Sequence, residues 1–210
     1  MEAVELIGSD AQAETPTSGS GLDDQSLIAR IVEGSDRHFR LLIERHQGHV
    51  FQLVSSVLGP DHCSRVEEVC QDAFIKIHRN LARFRGESGF GTWAYRIAYN
   101  TALDHLRALA RRPKTVPLDH SYDARPSSQA GPAATTAQDD EAARTRRAVD
   151  QLPDIYRTLI HLHYWKGLTV NEICQVLQSS PGTVKSYLHR ARARLQRALS
   201  DGEGSIDAIA

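Results

Sequence analysis

The hydrophobic residues of this chain recur every three or four positions, a spacing that predicts amphipathic helices. The first such stretch follows Asp23 and Asp24, which can cap a helix, and the second ends at Gly59. The apolar stripe of the second stretch is Phe39, Leu42, Ile43, His46, Val50, Phe51, Val54 and Val57. Two more stretches cover residues 66–81 and about 90–112. No segment shows the sustained alternation of a half-buried strand, so the predicted fold is all-α.

Residues 113–140 interrupt the helical pattern, because they are rich in Pro, Ala, Ser and Thr and poor in large apolar side chains. This composition is typical of a flexible linker between domains. A second helical unit follows, so we predict two small helical domains. The predicted bounds are a disordered N-terminal tail at 1–22, a first domain at 23–112, the linker at 113–140, a second domain at 141–200 and a C-terminal tail at 201–210.

The stretch LTVNEICQVLQSSPGTVKSYLHRARARL, residues 168–195, predicts a helix-turn-helix. A helix over about Val170 to Leu177 leads into the polar turn QSS, and Pro181 suits the first turn of a second helix. In this motif the second helix enters the major groove of DNA. The open alternative is an amphipathic helix with a solvated basic face. The candidate base and phosphate contacts are Thr183, Lys185, Ser186, His189, Arg190 and Arg192.

Charge is segregated along the chain, although the formal net charge is only −1. Residues 1–24 contain six acidic side chains and no Lys or Arg, whereas residues 181–199 contain five basic side chains and no acid. Residues 90–114 hold a second basic cluster. Clustering on particular segments, rather than the sum over the chain, is the electrostatic footprint of a DNA-binding protein. The two basic segments are therefore the candidates for nucleic-acid contact.

The segment FRGESGFGTWAYRIAYNTALDHLRALARR, residues 84–112, combines aromatic residues with Arg and Asn. Aromatic rings can stack on exposed bases while polar side chains read the base edges. Core packing is the competing interpretation, because Trp93 and Ile97 lie at core spacing, and we expect Trp93 to be buried. The residues alone leave both interpretations open.

At these two segments the chain resembles the extracytoplasmic-function (ECF) class of bacterial RNA polymerase sigma factors. VEEVCQDAFIKIHRNLARFRGESGFGTWAYRIAYNTALDHLRALARR resembles region two of that family, and LPDIYRTLIHLHYWKGLTVNEICQVLQSSPGTVKSYLHRARARL resembles region four. The resemblance implies a transcription initiation factor that directs core RNA polymerase to specific promoters and helps to open the minus-ten DNA. It also implies a stress or signal response, with core RNA polymerase, promoter DNA and an anti-sigma factor as partners.

The resemblance assigns a role to each candidate segment. The helix over 66–81 corresponds to the polymerase-docking surface, through Gln71, Asp72, Phe74, Ile75 and Lys76. The following loop and helix correspond to the reader of the minus-ten element, where the family opens DNA and captures a flipped base. The implied minus-ten contacts are Asn80, Phe84, Arg85, Thr92, Tyr95, Arg96 and Asn100. The helix over 181–194 corresponds to the reader of the minus-thirty-five element, which stays double-stranded.

The sequence departs from the family pattern at two positions. Tyr187 occupies the position where the family often has Arg, at the end of its GTVKSR-like run. The family's minus-thirty-five sequence preference is therefore not transferred in detail to this chain. Cys174 replaces the usual Ala in the first helix of the helix-turn-helix. A free Cys behaves as a small hydrophobic residue, so packing is the simplest interpretation of Cys174.

Two other classes of protein compete with this interpretation. A two-component or quorum-type regulator ends in a similar helix-turn-helix, but no receiver or ligand-binding domain is visible here. An enzyme is disfavoured, because no P-loop, nucleophile elbow or convincing acid–base pair is present. His161 and His163 lie two positions apart on a helix and therefore point to different faces. We expect no catalytic residue, no cofactor and no metal site.

The three cysteines, Cys63, Cys70 and Cys174, form no disulfide framework, which indicates a reducing cytosol. A redox-sensing role for them is an additional hypothesis. The N-terminus is acidic and lacks the pattern of a secretory signal. No stretch approaches the roughly 20 apolar residues of a membrane span. We therefore expect a cytoplasmic protein without direct membrane insertion.

Overall fold

The computed structural model describes residues 22–111 and 137–201, and all regular secondary structure in these two ranges is helical. The all-α prediction is confirmed. The helices of the N-terminal half, residues 22–111, are α1 Asp24–Val32, α2 Asp36–Leu58, α3 Val66–Asn80 and α4 Phe90–Arg111. Those of the C-terminal half, residues 137–201, are α5 Ala137–Asp150, α6 Asp154–Ile160, α7 Val170–Leu177 and α8 Pro181–Asp201.

Three short helical turns complete the described elements: 3₁₀ turns at Pro60–Arg65 and Leu81–Arg83, and a π turn at His161–Trp165. Most of the predicted tails and linker, residues 1–21, 112–136 and 202–210, lie outside the described residues. Helix α5 begins at Ala137, inside the segment that the composition assigned to the linker.

Polar contacts fix the start of the N-terminal half. The carboxylate of Asp23 accepts a hydrogen bond from the Ser26 amide at 2.8 Å and so caps α1. The neighbouring Asp24 bridges to α2, because its carboxylate contacts Arg45 at 2.5 Å and His46 at 2.8 Å. Burial alone would raise the pKa of Asp24, but the hydrogen bond and charge of His46 and those of Arg45 outweigh it and lower the pKa. The ion pair therefore ties α1 to α2.

Small residues let α2, α3 and α4 approach closely. Ala73, Ala94, Ala98 and Ala102 are fully buried on the facing surfaces of α3 and α4. Larger apolar side chains fill the remaining space, among them Val50, Leu53, Val54, Val66, Val69 and Ile77. Alternation of small and large side chains is what produces dense packing between helices.

The two halves of the chain pack directly on each other. Helix α6 contacts α2, and α7 contacts α4. One continuous apolar cluster contains Val54 and Ala98 from the N-terminal half and Leu159, Ile173 and Val176 from the C-terminal half. A second cluster, around Ile160, Ala191 and Leu195, holds α5, α6 and α8 together. Packing between the halves was not predicted, because helical periodicity carries no information about contacts between distant segments.

Two expectations about individual core residues were wrong. Phe51, placed on the apolar stripe of α2, is 45% exposed. It lies at the edge of that stripe, where the adjacent Val50 and the later Val54 already fill the core. Trp93, expected to be buried, is only partly buried and packs against Phe84 and Phe90. Both aromatic side chains line surface depressions that are described below.

Candidate nucleic-acid interface

The helix-turn-helix begins with a reciprocal cap. The hydroxyl of Thr169 accepts a hydrogen bond from the Glu172 amide at 3.3 Å, and the Glu172 carboxylate accepts one from the Thr169 amide at 2.9 Å. Helix α7 ends at Leu177 and is capped by Gln178, whose φ of 52° is in the left-handed region that commonly terminates helices. The predicted bounds of α7 and the predicted start of α8 at Pro181 agree with the structure.

Buried apolar residues set the angle between the two helices of the motif. Ile173 and Val176 of α7 pack against the same cluster as Val184 and Leu188 of α8. The opposite face of α8 is therefore left at the surface, and all six predicted contacts on it are exposed. They are Thr183, Lys185, Ser186, His189, Arg190 and Arg192. This face has the geometry and the charge of a recognition helix.

Two of these six side chains are already held by neighbours. The Thr183 hydroxyl lies 2.9 Å from that of Ser180 at the start of α8. The guanidinium of Arg192 donates to the Tyr164 hydroxyl at 2.5 Å, and its central carbon lies 5.7 Å from the centroid of the Tyr164 ring. A cation beside an aromatic face is stabilised there, so Arg192 is oriented before any ligand arrives.

Tyr187 points away from the exposed face of α8. Its ring is partly buried in the apolar cluster and meets the Tyr156 ring edge-to-face, with centroids 6.0 Å apart. The departure from the family pattern at this position therefore replaces a charged side chain with a packing contact.

An aromatic group forms a second candidate site at the start of α4. The rings of Phe84, Phe90 and Trp93 pack with centroids 5.4 to 5.8 Å apart. Beside them is a cavity of about 390 Å³. Its lining comes from the loop before α4, from the first turns of α4 and from one residue of α7, and consists of Arg83, Phe84, Arg85, Glu87, Ser88, Thr92, Trp93, Arg96 and Gln175.

Four predicted minus-ten contacts meet in this cavity, and three do not. Those brought together are Phe84, Arg85, Thr92 and Arg96. Tyr95 is instead a core residue, whose hydroxyl lies 3.0 Å from His49 Nδ1 and whose pKa is raised by burial to about 12. The side-chain amide nitrogen of Asn80 donates a hydrogen bond to the Lys76 carbonyl at 2.8 Å. Asn100 is partly buried further along α4.

The predicted polymerase-docking residues lie along α3, beside an apolar groove of about 1000 Å³. Gln71, Phe74 and Ile75 line the groove, while Asp72 and Lys76 are exposed outside its lining. Its other wall comes from α2 and includes three residues that sequence reasoning had assigned to the core stripe: Phe39, Ile43 and Phe51. Ile75 is 47% exposed, so a large apolar surface faces solvent here. Such a surface usually marks a protein interface.

Within the described ranges there is no cluster of His, Cys, Asp or Glu that could hold a metal ion. No helix in those same ranges is long and apolar enough to cross a bilayer. His161 and His163 do point to different environments, since His161 is buried and His163 Nδ1 lies 3.0 Å from the Leu168 carbonyl oxygen.

The fold and the exposed recognition helix define a helical DNA-binding protein built from two modules. The sequence matches the family Sigma-70 region 2 over residues 42–112 and the family Sigma-70, region 4 over residues 142–195. It is 36% identical over 186 residues to the RNA polymerase sigma-H factor of Pseudomonas aeruginosa, covering 84% of this chain and 93% of that protein. It is 35% identical over 178 residues to the ECF RNA polymerase sigma-E factor of Escherichia coli K12, covering 81% and 91%.

Solved structures show the same fold. CnrH, in a complex with the cytosolic domain of CnrY, superposes with a TM-score of 0.59 at 26% identity, covering 85% of this chain and 97% of CnrH. The sigma factor RpoE from Bartonella quintana, in complex with the anti-sigma factor NepR, has the same TM-score at 20% identity, covering 77% and 96%. The chain belongs to the ECF class of RNA polymerase sigma factors. It is a transcription initiation factor that binds core RNA polymerase and directs it to promoters.

Proposed function

We propose that this sigma factor divides its work among three surfaces. The groove between α2 and α3 binds core polymerase, the cavity at the start of α4 receives a minus-ten base, and the exposed face of α8 reads the minus-thirty-five element. The observation that carries the proposal is the placement of these surfaces on different elements with different chemistry. Residues 23–112 form the module that carries the first two, and residues 141–200 form the module that carries the third.

The groove supports a protein partner because it is apolar, wide and open. Phe51 and Ile75 are large apolar side chains that remain about half exposed on either side of it. Exposed apolar area of this kind is stabilised when a partner covers it. Asp72 and Lys76, exposed on the neighbouring face of α3, supply charged contacts at the rim.

The cavity at the start of α4 supports a flipped base. Phe84 and Trp93 offer aromatic faces for stacking, and Arg85, Thr92 and Arg96 offer hydrogen-bond donors. Flipping a base out of the duplex costs a few kcal/mol. Contacts between the base and the pocket must offset that cost. We assign Asn80, Tyr95 and Asn100 supporting positions around the cavity, since they do not line it.

The exposed face of α8 supports contact with duplex DNA. Lys185, Ser186 and His189 lie near the N-terminal end that enters the major groove, and Arg190 and Arg192 follow them along the helix. The basic residues neutralise phosphates, and this contribution depends on salt. We assign the side chains before Arg190 to base edges and the two arginines to the DNA backbone.

We further propose that an anti-sigma factor controls the chain in a stress or signal response. The related sigma factor RpoE was solved in complex with the anti-sigma factor NepR. The apolar groove and the C-terminal half are the surfaces that such an inhibitor would need to cover. The chain itself catalyses no reaction, and its work with polymerase and promoter DNA places it in the cytoplasm.

A substitution in the groove tests the docking assignment. Ile75→Glu places a charge on an apolar residue that is 47% exposed, and Val32→Glu makes the same change on α1, where Val32 is 58% exposed and lies outside the groove. Binding to purified core polymerase, measured by fluorescence anisotropy, is expected to weaken at least about tenfold for Ile75→Glu. Val32→Glu is expected to bind like the unmodified chain. Equal affinities for all three proteins would remove the groove from the docking surface.

A substitution in the loop tests the minus-ten assignment. Arg85 is exposed and lines the cavity, whereas Arg37 is an exposed arginine on α2 that does not. Permanganate footprinting of a responsive promoter should show less strand opening with Arg85→Ala and normal opening with Arg37→Ala, at equal polymerase occupancy. Normal opening with Arg85→Ala would contradict a role for this side chain in the cavity.

A further inference from the structure

A tyrosine that precedes the helix-turn-helix reaches the exposed face of α8. Tyr164 lies in the π turn His161–Trp165, and its ring packs against the buried cluster around Ile160 that joins α6 to α8. The ring of the neighbouring His163 meets the Tyr164 ring edge-to-face, with centroids 4.9 Å apart. The apolar body of the tyrosine is therefore held in place, while its hydroxyl lies at the surface beside Arg192.

Tyr164 and Arg192 form a bonded pair that still has hydrogen-bond donors to offer. Arg192 Nε donates to the Tyr164 hydroxyl at 2.5 Å, and a phenolic oxygen that accepts this bond keeps its own hydrogen to donate. Within residues 22–111 and 137–201 that hydrogen has no acceptor, and the two terminal nitrogens of Arg192 donate to no other group. The pair therefore presents an O–H donor and several N–H donors side by side at the surface.

The surroundings of the pair are positively charged and belong to the candidate recognition face. Residues 181–199 contain five basic side chains and no acid. Lys185, His189 and Arg192 are spaced by four and three positions, so these exposed residues share one side of α8. Arg192 is the last of the three, beyond the candidate base contacts. A cluster of donors in a cationic environment suits an oxyanion, and the oxyanion that borders a DNA groove is the backbone phosphate.

We infer that Tyr164 and Arg192 together form a site for one backbone phosphate at the edge of the minus-thirty-five element. The Tyr164 hydroxyl donates to the phosphate, and a terminal nitrogen of Arg192 donates to it beside the hydroxyl. The bond from Arg192 Nε to the hydroxyl holds both donors together before DNA arrives. The inference rests on the proposed function of α8 and deepens it, because it adds a DNA contact from outside the helix-turn-helix.

A second tyrosine–arginine pair on α8 supplies a matched control. The central guanidinium carbon of Arg194 lies 5.3 Å from the Tyr156 ring centroid. In the part of the chain that the structure describes, no hydrogen bond joins Arg194 to the Tyr156 hydroxyl. Tyr156→Phe therefore removes a hydroxyl from a ring beside an arginine, as Tyr164→Phe does, but breaks no bond to that arginine.

Binding of a promoter duplex tests the site. The chain is assembled with core polymerase, and the probe is a fluorescein-labelled duplex that carries the minus-thirty-five element of a promoter that the chain activates. Tyr164→Phe keeps the packed ring and should weaken binding by about three- to tenfold, because a hydrogen bond to a charged phosphate and the orientation of Arg192 are lost. Tyr156→Phe should bind the duplex like the unmodified chain. Equal affinity of Tyr164→Phe and the unmodified chain would overturn the proposal.

Variants of Arg192 show whether the two side chains act on one phosphate. Arg192→Ala should reduce the salt slope of duplex binding by about 1, whereas Tyr164→Phe should leave the slope unchanged, because it removes no charge. In the Arg192→Ala background, Tyr164→Phe should weaken binding by less than about twofold, since residues of one site do not contribute additively. Fully additive losses would show that the hydroxyl and the guanidinium act independently and would refute the shared site.

Methylphosphonate substitution identifies the group that is bound. Each phosphate in and beside the minus-thirty-five element is replaced in turn by an uncharged methylphosphonate. At one phosphate the affinity difference between the unmodified chain and Tyr164→Phe should disappear, and at the other phosphates it should persist. A difference that stays the same at every position would contradict the assignment to the DNA backbone.

Lys185→Ala separates failure of this site from failure of the proposed function. Lys185 lies on the same face of α8 but is assigned to base edges rather than to the phosphate site. If Lys185→Ala weakens duplex binding and Tyr164→Phe does not, α8 reads the duplex and the phosphate site is refuted. If neither substitution weakens binding, the proposed function of α8 fails, and the phosphate site fails with it.

Discussion

Acid is predicted to weaken the folded chain through one buried histidine at the boundary between its halves. His161 follows α6, is 7% exposed, and its Nε2 makes no hydrogen bond within the described residues. Burial, aided by the nearby Lys166 and His49, lowers its pKa from 6.5 to about 3. The unfolded chain therefore binds a proton at His161 between pH 6.5 and 3 that the folded chain does not. The free energy of unfolding must then fall as the pH decreases through this window.

The size of the effect follows from the two pKa values. At pH 5 the pH lies about 1.5 units below the pKa of His161 in the unfolded chain. Protonation of His161 therefore stabilises the unfolded chain by about 2 kcal/mol more at pH 5 than at neutral pH. Replacing His161 with Phe removes the titrating group and keeps an aromatic ring next to Trp165, whose ring centroid lies 5.8 Å from that of His161. The variant should therefore lose about 2 kcal/mol less than the unmodified chain between pH 7.5 and pH 5.

Urea unfolding followed by circular dichroism at pH 7.5 and pH 5 measures this difference directly. His62→Phe is the control, because His62 lies in the exposed 3₁₀ turn after α2 and should leave the pH dependence of stability unchanged. The Asp24 carboxylate, whose pKa is lowered from 3.8, stays ionised throughout this range, so the comparison between variants reports on His161. An acid sensitivity of His161→Phe that matches the unmodified chain would refute the reasoning.

Three further outcomes are expected. Cys63 should react with maleimide at pH 8 at least about a hundredfold faster than Cys70, because Cys63 is exposed, whereas burial and the nearby Glu67 raise the pKa of the Cys70 thiol to about 11. Similar reaction rates for the two cysteines would contradict the packing of α3. Thr169→Ala removes the cap of α7 and should lower the free energy of unfolding, measured by urea titration, by about 1 kcal/mol. An unchanged midpoint of urea unfolding would show that the cap is dispensable. Arg190→Ala should weaken promoter duplex binding, reduce its salt slope by about 1 and leave polymerase affinity intact, whereas equal loss of both would contradict the separation of surfaces.

Local sequence signals were enough to predict the helices and the helix-turn-helix. Thr169, with Glu172 three residues later, forms a cap that depends only on neighbouring residues, and Pro181 marks the next helix for an equally local reason. Elements defined by such short-range interactions can be inferred from pattern alone. The exposed basic face of α8 followed from the same periodicity, because burial of Val184 and Leu188 determines which side remains outside.

Features that depend on distant contacts could not be inferred in this way. Arg157 reaches Ser56 across 101 positions of sequence, and no periodicity relates the two residues. Phe51 looked like a core residue because the pattern identifies apolar side chains without showing that α3 leaves a groove beside it. Tyr95 resembled a base-stacking residue, but it is buried, and its hydroxyl lies 3.0 Å from His49 Nδ1 on another helix. Each of these cases was decided by tertiary packing rather than by local preference.

Run-off transcription with purified core polymerase tests the central claim most directly. The account predicts specific transcripts from responsive promoter fragments only when the chain is added. It also predicts that Ile75→Glu abolishes them by preventing polymerase docking, and that Lys185→Ala reduces them while polymerase binding persists. Transcripts that appear equally without the chain, or that are unaffected by both substitutions, would contradict the assignment of these surfaces to transcription initiation.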